Sequence, residues 1–197
     1  SNFLIIIMVK RIAVIGPHAT GKTSLIHRYI HRPFSESYIS TLFGEVYNDE
    51  QNNIIWDCPG HARFMSTEVI NIVNKADGFI LAFNPVEDDS FFAAIHIADQ
   101  LEIGERPVVM AATQTDACEW RIKAAWSSEA RVRGWKIIRT SAATKDGISH
   151  VFKEIFEQTP ISESVDLGRL EYANSVMSSC IYTGINDYIY ELDTDDS

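Results

Sequence analysis

The string GPHATGKT at residues 16–23 constrains the fold more than any other feature of this chain. It follows residues 11–15, a short apolar run typical of a strand that is buried on both faces. A helix is predicted directly after it over residues 23–31, because apolar side chains recur there near helical spacing before Pro33. A buried strand that passes through a glycine-containing loop into a helix predicts a βα unit.

The same alternation continues along the chain. Strands are predicted over residues 45–47, 54–56, 78–83, 107–112 and 135–139, and helices over residues 90–102, 119–133 and 148–158. The turn-rich residues 48–53 join the first two of these strands. The pattern predicts an α/β fold with a mostly parallel six-stranded sheet and helices on both faces. Ligands of such sheets bind at the carboxyl ends of the strands.

The loop at residues 16–23 has the residue types that bind phosphate. Gly16 and Gly21 allow the backbone N–H groups to point inward, and the helix N-terminus adds a positive dipole. Lys22 is expected to bridge the β- and γ-phosphates and the Thr23 hydroxyl to ligate Mg²⁺. The residues assigned to this phosphate site are Gly16, His18, Ala19, Thr20, Gly21, Lys22, Thr23 and Ser24.

Three further segments follow predicted strands. In WDCPGH (56–61), Asp57 is placed to hold Mg²⁺ through a water, and the Gly60 N–H could reach a γ-phosphate. In TQTD (113–116), a carboxylate at Asp116 could accept two hydrogen bonds from guanine, whereas adenine has no matching pair of donors. The proposed base site comprises Thr113, Gln114, Asp116, Ser141 and Ala142. Taken alone, DxxG is a simple turn and Asp116 a helix cap.

In order and approximate spacing, these segments resemble the Ras superfamily of small GTPases, most closely its Rab branch. The segments that carry the resemblance are GPHATGKT (16–23), Phe34, YIST (38–41), WDCPGHARF (56–64), TQTD (113–116) and TSA (140–142). The resemblance implies a P-loop NTPase small G domain over residues 10–158 that binds GTP or GDP with Mg²⁺. It also implies a molecular switch that hydrolyses GTP to GDP, and the Rab branch suggests vesicle trafficking.

The resemblance also implies roles for particular residues. Phe34 would stack on the guanine, Tyr38 would cover the phosphates, and Thr41 would ligate Mg²⁺ and sense the γ-phosphate. Lys22, Thr41 and His61 would form the catalytic set. Residues 34–47 and 57–72 would contact effectors, exchange factors and GTPase-activating proteins.

Several residues depart from the family pattern. His61 stands where most small GTPases have the Gln that orients water, and DCPGH is the spelling of translation GTPases. His61 is therefore either a catalytic residue or a solvent-facing one. His18 could crowd the site where an arginine finger enters, while Gln114 and Thr113 replace the usual Lys and Asn. Two hypotheses follow: a slow GTPase, or a GTP-locked binding scaffold with negligible hydrolysis.

Charge and composition exclude other classes. The net charge of −10 argues against nucleic-acid partners, because binding the phosphate backbone needs clustered cations. The apolar run at residues 3–9 is too short to span a bilayer, so no transmembrane segment is expected. Three widely spaced cysteines suit a reducing compartment, so a cytoplasmic location is expected.

The two ends of the chain leave alternatives open. Residues 1–9 are either a leader or the first part of strand 1. Residues 159–197 are expected to form a partly helical extension with an acidic tail, which either packs on its own domain or docks elsewhere. The ending DTDDS shows no prenylation site. Peripheral membrane association would then require a partner or a C-terminus missing from this sequence.

Overall fold

Short apolar segments form the strands of one sheet. The computed structural model describes residues 9–35, 44–60, 67–119 and 121–161, without the side chain of Glu68. The strands are β1 (Arg11–Ile15), β2 (Glu45–Asn48), β3 (Ile54–Asp57), β4 (Gly78–Phe83), β5 (Val108–Ala112) and β6 (Lys136–Arg139). Their order is β2-β3-β1-β4-β5-β6, and all neighbours are parallel except β2 and β3. The prediction of a mostly parallel six-stranded sheet is confirmed.

Five α-helices flank this sheet in the described part of the chain. They are α1 (Lys22–Tyr29), α2 (Thr67–Lys75), α3 (Asp88–Gln100), α4 (Ala124–Val132) and α5 (Ile148–Gln158). The sequence analysis assigned no helix to the segment that forms α2. None of these helices combines the length and the apolar character that a membrane crossing needs.

Helix α4 begins later than the sequence predicts. The prediction started it at residue 119, but the backbone of Lys123 is extended, with φ −70° and ψ 143°. The Lys123 ammonium pairs with Asp88 and lies 5.0 Å from the centre of the Trp126 ring. These contacts direct Lys123 toward α3 and Trp126, and the first helical residue is Ala124.

The apolar side chains form a core on each face of the sheet. On one face, α1 and α5 pack together, and the rings of Tyr29 and Phe152 stack with centroids 3.8 Å apart. Elsewhere Phe83, at the end of β4, lies edge-on to Phe91 of α3 and Trp126 of α4, at 5.2 and 5.3 Å. The three rings are fully buried, and together they join β4 to both helices.

The sheet register brings the predicted site segments to one edge. Val14 of β1 pairs with Asp57 of β3, and Phe83 of β4 pairs with Ala112 of β5. Ala112 in turn pairs with Arg139 of β6. Because these strands are parallel, the chain leaves each of them at the same edge. The loops after β1, β3, β5 and β6 therefore begin close together.

Candidate functional site

The loop between β1 and α1 curls tightly. Gly16 has φ +150°, and a Cβ placed there would lie 2.2 Å from the Ala82 carbonyl oxygen of β4, so only glycine fits. Ala19 follows with φ 58°, a left-handed conformation, and Gly21 has φ 74° directly before α1. The buried Thr20 hydroxyl donates to the Pro17 carbonyl at 2.8 Å. The loop thus forms a closed curl at the N-terminus of a helix.

Lys22 is buried beneath this curl. Its Nζ donates to the carbonyl oxygens of Gly16, at 3.1 Å, and Pro17, at 2.7 Å. Burial lowers the pKa of Lys22 to about 8, and the nearby Asp57 opposes that shift. A desolvated ammonium gains further stabilisation from a bound anion. His18 is exposed on the loop, and Ser24 is half-buried in the first turn of α1.

Asp57 ends β3 with its side chain fully buried. The Thr23 hydroxyl donates to Asp57 Oδ2 at 2.5 Å. Oδ1 is buried and has no hydrogen-bond partner in the part of the chain that the structure describes. Burial raises the pKa of Asp57 to about 6, while Thr23 and Lys22 act in the opposite direction. A buried carboxylate oxygen without a partner, beside a hydroxyl, offers the hard oxygen donors that suit Mg²⁺.

Gly60 closes the site from the β3 side. A Cβ at this position would lie 2.6 Å from Lys22 Nζ and 2.7 Å from both N and Cα of His18. Any side chain here would displace the loop backbone. The close approach therefore places residue 60 at the expected phosphate site.

The TQTD segment is tied directly to the phosphate loop. The Thr113 hydroxyl donates to the Thr20 carbonyl at 2.7 Å and to the Phe83 carbonyl at 2.9 Å. Gln114, which has φ 55°, donates from Nε2 to the Ala19 carbonyl at 3.0 Å. No local pattern predicts the bonds to Thr20 and Ala19, because each joins positions more than 90 residues apart. The only signal in the sequence is that each segment follows a strand.

The TSA segment meets TQTD on the other side. The N–H and the hydroxyl of Thr115 donate to the Thr140 carbonyl at 3.2 and 3.1 Å. The Ser141 N–H donates to the Asp146 carbonyl at 2.9 Å, which keeps Ser141 buried, and Ala142 follows it. Asp116 is exposed in the short 3₁₀ turn Thr115–Ala117. A base held between these segments would therefore lie beside the Asp116 carboxylate.

The structure brings four predicted segments together: the phosphate loop, Asp57 with Gly60, TQTD and TSA. Phe34 is 38% exposed, and its role against the guanine stays a prediction. Tyr38, Thr41 and His61 lie outside the described residues, as do residues 1–8 and 162–197. Their assigned roles stay predictions.

A model of the Ras family matches residues 11–160 of this chain. The chain belongs to the Ras family. Bovine Ras-related protein Rab-7b is 37% identical to it over 90 residues, which are 42% of this chain and 44% of that protein. The Ypt/Rab-type GTPase ypt7 of Pyricularia oryzae is 30% identical over 104 residues, 49% of this chain and 50% of that protein.

Other relatives match over a greater length. The GTP-binding protein drn-1 of Caenorhabditis elegans is 24% identical over 160 residues, which cover 74% of this chain and 73% of that protein. By contrast, the chain spans less than half the length of the Rab-7b relatives that it matches. This Ras-family chain keeps the sheet and the loop positions of a small G domain, and Gln114 bonds to its phosphate loop.

Proposed function

We propose that this Ras-family chain is a guanine-nucleotide switch that binds GTP with Mg²⁺ and hydrolyses it to GDP and phosphate. The observation that carries the proposal is the buried Asp57 Oδ1, which has no partner among the described residues and lies beside Thr23. The N–H groups of the curled loop and the desolvated Lys22 ammonium need an anion, whereas the unpartnered Asp57 oxygen needs a cation. A nucleotide phosphate with its metal ion supplies both.

Each residue has a defined part in this proposal. Lys22 would exchange its carbonyl partners for phosphate oxygens, and the N–H groups of the curled loop would bind the same oxygens. Thr23 and Thr41 would hold Mg²⁺ directly, and Asp57 would hold it through a water. The bound ion would neutralise charge on the phosphates. Asp116 would select guanine, and Phe34 would stack on the base.

Hydrolysis requires a residue that positions water for in-line attack on the γ-phosphorus, opposite the GDP leaving group. We assign this part to His61, whose imidazole can donate or accept a hydrogen bond. Effectors and regulators would bind residues 34–47 and 57–72, because a molecular switch acts through partners that distinguish its two nucleotide states. The names of the Rab-7b and Ypt/Rab-type relatives favour a role in vesicle trafficking. We place that role in the cytoplasm, with peripheral membrane association through a partner or through a C-terminus missing from this sequence.

The nucleotide that the chain carries tests the proposal. The freshly purified protein is denatured and the released nucleotide is identified by ion-exchange chromatography. Stoichiometric GDP is the expected result, since hydrolysis during expression would leave the product in the site. An adenine nucleotide would overturn the role of Asp116. Stoichiometric GTP would instead favour a binding scaffold with negligible turnover.

The exposed position of His18 on the phosphate loop favours that scaffold as the second candidate. His61→Gln separates the two in a single-turnover GTP hydrolysis assay. A lower rate than wild type supports catalysis by His61, while a higher rate shows that the histidine is a poor substitute for glutamine. His96→Gln is the matched control, because His96 is exposed on α3 away from the site.

A further inference from the structure

Arg106 lies in the connection between α3 and β5 and reaches across to α2. Its Nε donates to the Ile103 carbonyl at 2.7 Å. One terminal nitrogen, Nη1, donates to the Val73 carbonyl at 2.7 Å and to the Ala76 carbonyl at 3.1 Å. The guanidinium carbon lies 4.6 Å from the centre of the Phe79 ring. One side chain therefore joins the α3–β5 connection to the end of α2.

The two α2 contacts are made where a helix needs them. The last carbonyl groups of a helix have no partner within the helix, and the end carries partial negative charge. Helix α2 ends at Lys75, and Ala76 directly follows it. The Val73 carbonyl already accepts from the Ala76 N–H at 3.1 Å, so Arg106 adds a second, cationic donor there and a donor at the Ala76 carbonyl. Arg106 therefore serves as a C-terminal cap supplied by a distant part of the chain.

The last turn of α2 also lies beside Gly44, in the segment 34–47 that is predicted to contact effectors and regulators. A Cβ at Gly44 would lie 3.6 Å from Ile72 Cδ1 and 3.7 Å from the Asp57 carbonyl oxygen. Ile72 and Val73 are both buried. The last turn of α2 thus contacts Arg106 at its end, and its Ile72 lies beside the backbone at Gly44.

We propose that Arg106 is a positioning residue for α2, whose first residues belong to the segment 57–72 that is predicted to contact effectors and regulators. By fixing the end of α2 it sets the position of Ile72 beside Gly44. This inference rests on the proposed function. Arg106, which lies in the α3–β5 connection outside the nucleotide site, would then influence the rate of hydrolysis through the position of α2.

The test compares Arg106→Met, which keeps the stem and removes the donors, with Arg106→Lys, which keeps a cationic donor. Arg131→Met on α4 is the matched control, because no hydrogen bond or ion pair is recorded for its side chain among the described residues. Hydrogen–deuterium exchange is followed by mass spectrometry in the full GDP-loaded chain. We expect about tenfold faster exchange over residues 67–77 in Arg106→Met, with the peptides of β1, β4 and β5 unchanged.

The rate of single-turnover GTP hydrolysis is the second measurement, because a purely structural role of Arg106 would leave that rate unchanged. Arg106→Met should lower the hydrolysis rate several-fold while GDP affinity stays at the wild-type value, and Arg106→Lys should recover most of the rate. Equal exchange over residues 67–77 in Arg106→Met and Arg131→Met would refute the proposal. So would faster exchange across the whole sheet, since Arg106 would then only stabilise the fold.

The two proposals can fail separately. If wild type binds no guanine nucleotide, the proposed function fails, and the exchange comparison in nucleotide-free protein still decides whether Arg106 caps α2. If Arg106→Met does not fold, Arg106→Gln, which removes the charge and keeps a shorter side chain with one amide donor, takes its place in the same comparison. Faster exchange confined to residues 67–77 is then expected. Unchanged exchange there would overturn the inference.

Discussion

The bond between Gln114 and the phosphate loop allows a direct test of how the base and phosphate segments cooperate. Gln114 Nε2 donates to the Ala19 carbonyl at 3.0 Å, and both residues have left-handed backbones, with φ 55° and 58°. Each of these conformations is disfavoured for a residue with a Cβ. The bond therefore helps to hold the loop in its curled form before any ligand arrives. Gln114→Leu removes the donor while keeping a similar size.

The expected effect follows from the strength of one neutral hydrogen bond. Such a bond contributes about 0.5–1.5 kcal/mol net, and a loop that relaxes without it must be ordered again on binding. The dissociation constant for GDP should therefore rise roughly two- to thirteenfold. Titration of a fluorescent GDP analogue into nucleotide-free protein measures that constant.

Gln158→Leu is the matched control. Gln158 on α5 donates to Glu154 Oε1 at 2.7 Å, so this variant makes the same substitution and also loses an amide-donated bond, on a different element. Gln114→Lys restores a donor to the Ala19 carbonyl and should bind GDP nearly as well as wild type. The reasoning is refuted if Gln114→Leu and Gln158→Leu bind alike, or if Gln114→Lys is as weak as Gln114→Leu.

Two further predictions concern stability. Lys22→Met should stabilise the nucleotide-free chain at pH 7 by up to about 3 kcal/mol, because the pKa of Lys22 falls from 10.5 to about 8 on burial. Between pH 8 and 10.5 the unfolded wild-type chain binds a proton at Lys22 that the folded chain does not. The stability advantage of Lys22→Met should therefore shrink as pH rises through that range. A difference in the free energy of unfolding that does not change with pH, measured by denaturant unfolding, would contradict this prediction. Phe91→Ala should cost about 3–5 kcal/mol, since the ring is fully buried against Phe83 and Trp126. Phe92→Ala should cost far less, because the Phe92 ring is half-exposed. Equal shifts of the denaturant unfolding midpoint in the two variants would disprove the packing argument.

Local sequence determined the strands and most of the helices. The apolar runs that became β4 and β5 are bounded by clear turn residues, and the periodic segment 148–158 became α5 with the predicted ends. Helix α4 was predicted to begin too early, because the sequence between residues 119 and 123 does not exclude a helix. Its first residue depends on the contacts of Lys123 with Asp88 of α3 and with Trp126 of α4 itself.

The location of the site was also predictable from sequence. Each segment with phosphate or base chemistry follows a strand, and parallel strands bring such segments to one edge. Sequence alone therefore determined the family resemblance, the fold class and the edge at which Asp57 and Lys22 meet. It could not determine their protonation, because a pKa depends on burial and on charges that only folding brings near.

Tertiary structure decided which side chains hold these segments together. The bond from Gln114 to Ala19 joins residues 95 positions apart. The bonds from Arg106 to the end of α2 join residues 30 and 33 positions apart. Whether such groups meet depends on the twist of the sheet and the direction of each side chain, which no local pattern specifies. The sequence determined which residues could serve the site, and the packing of the sheet and helices decided which of them support it.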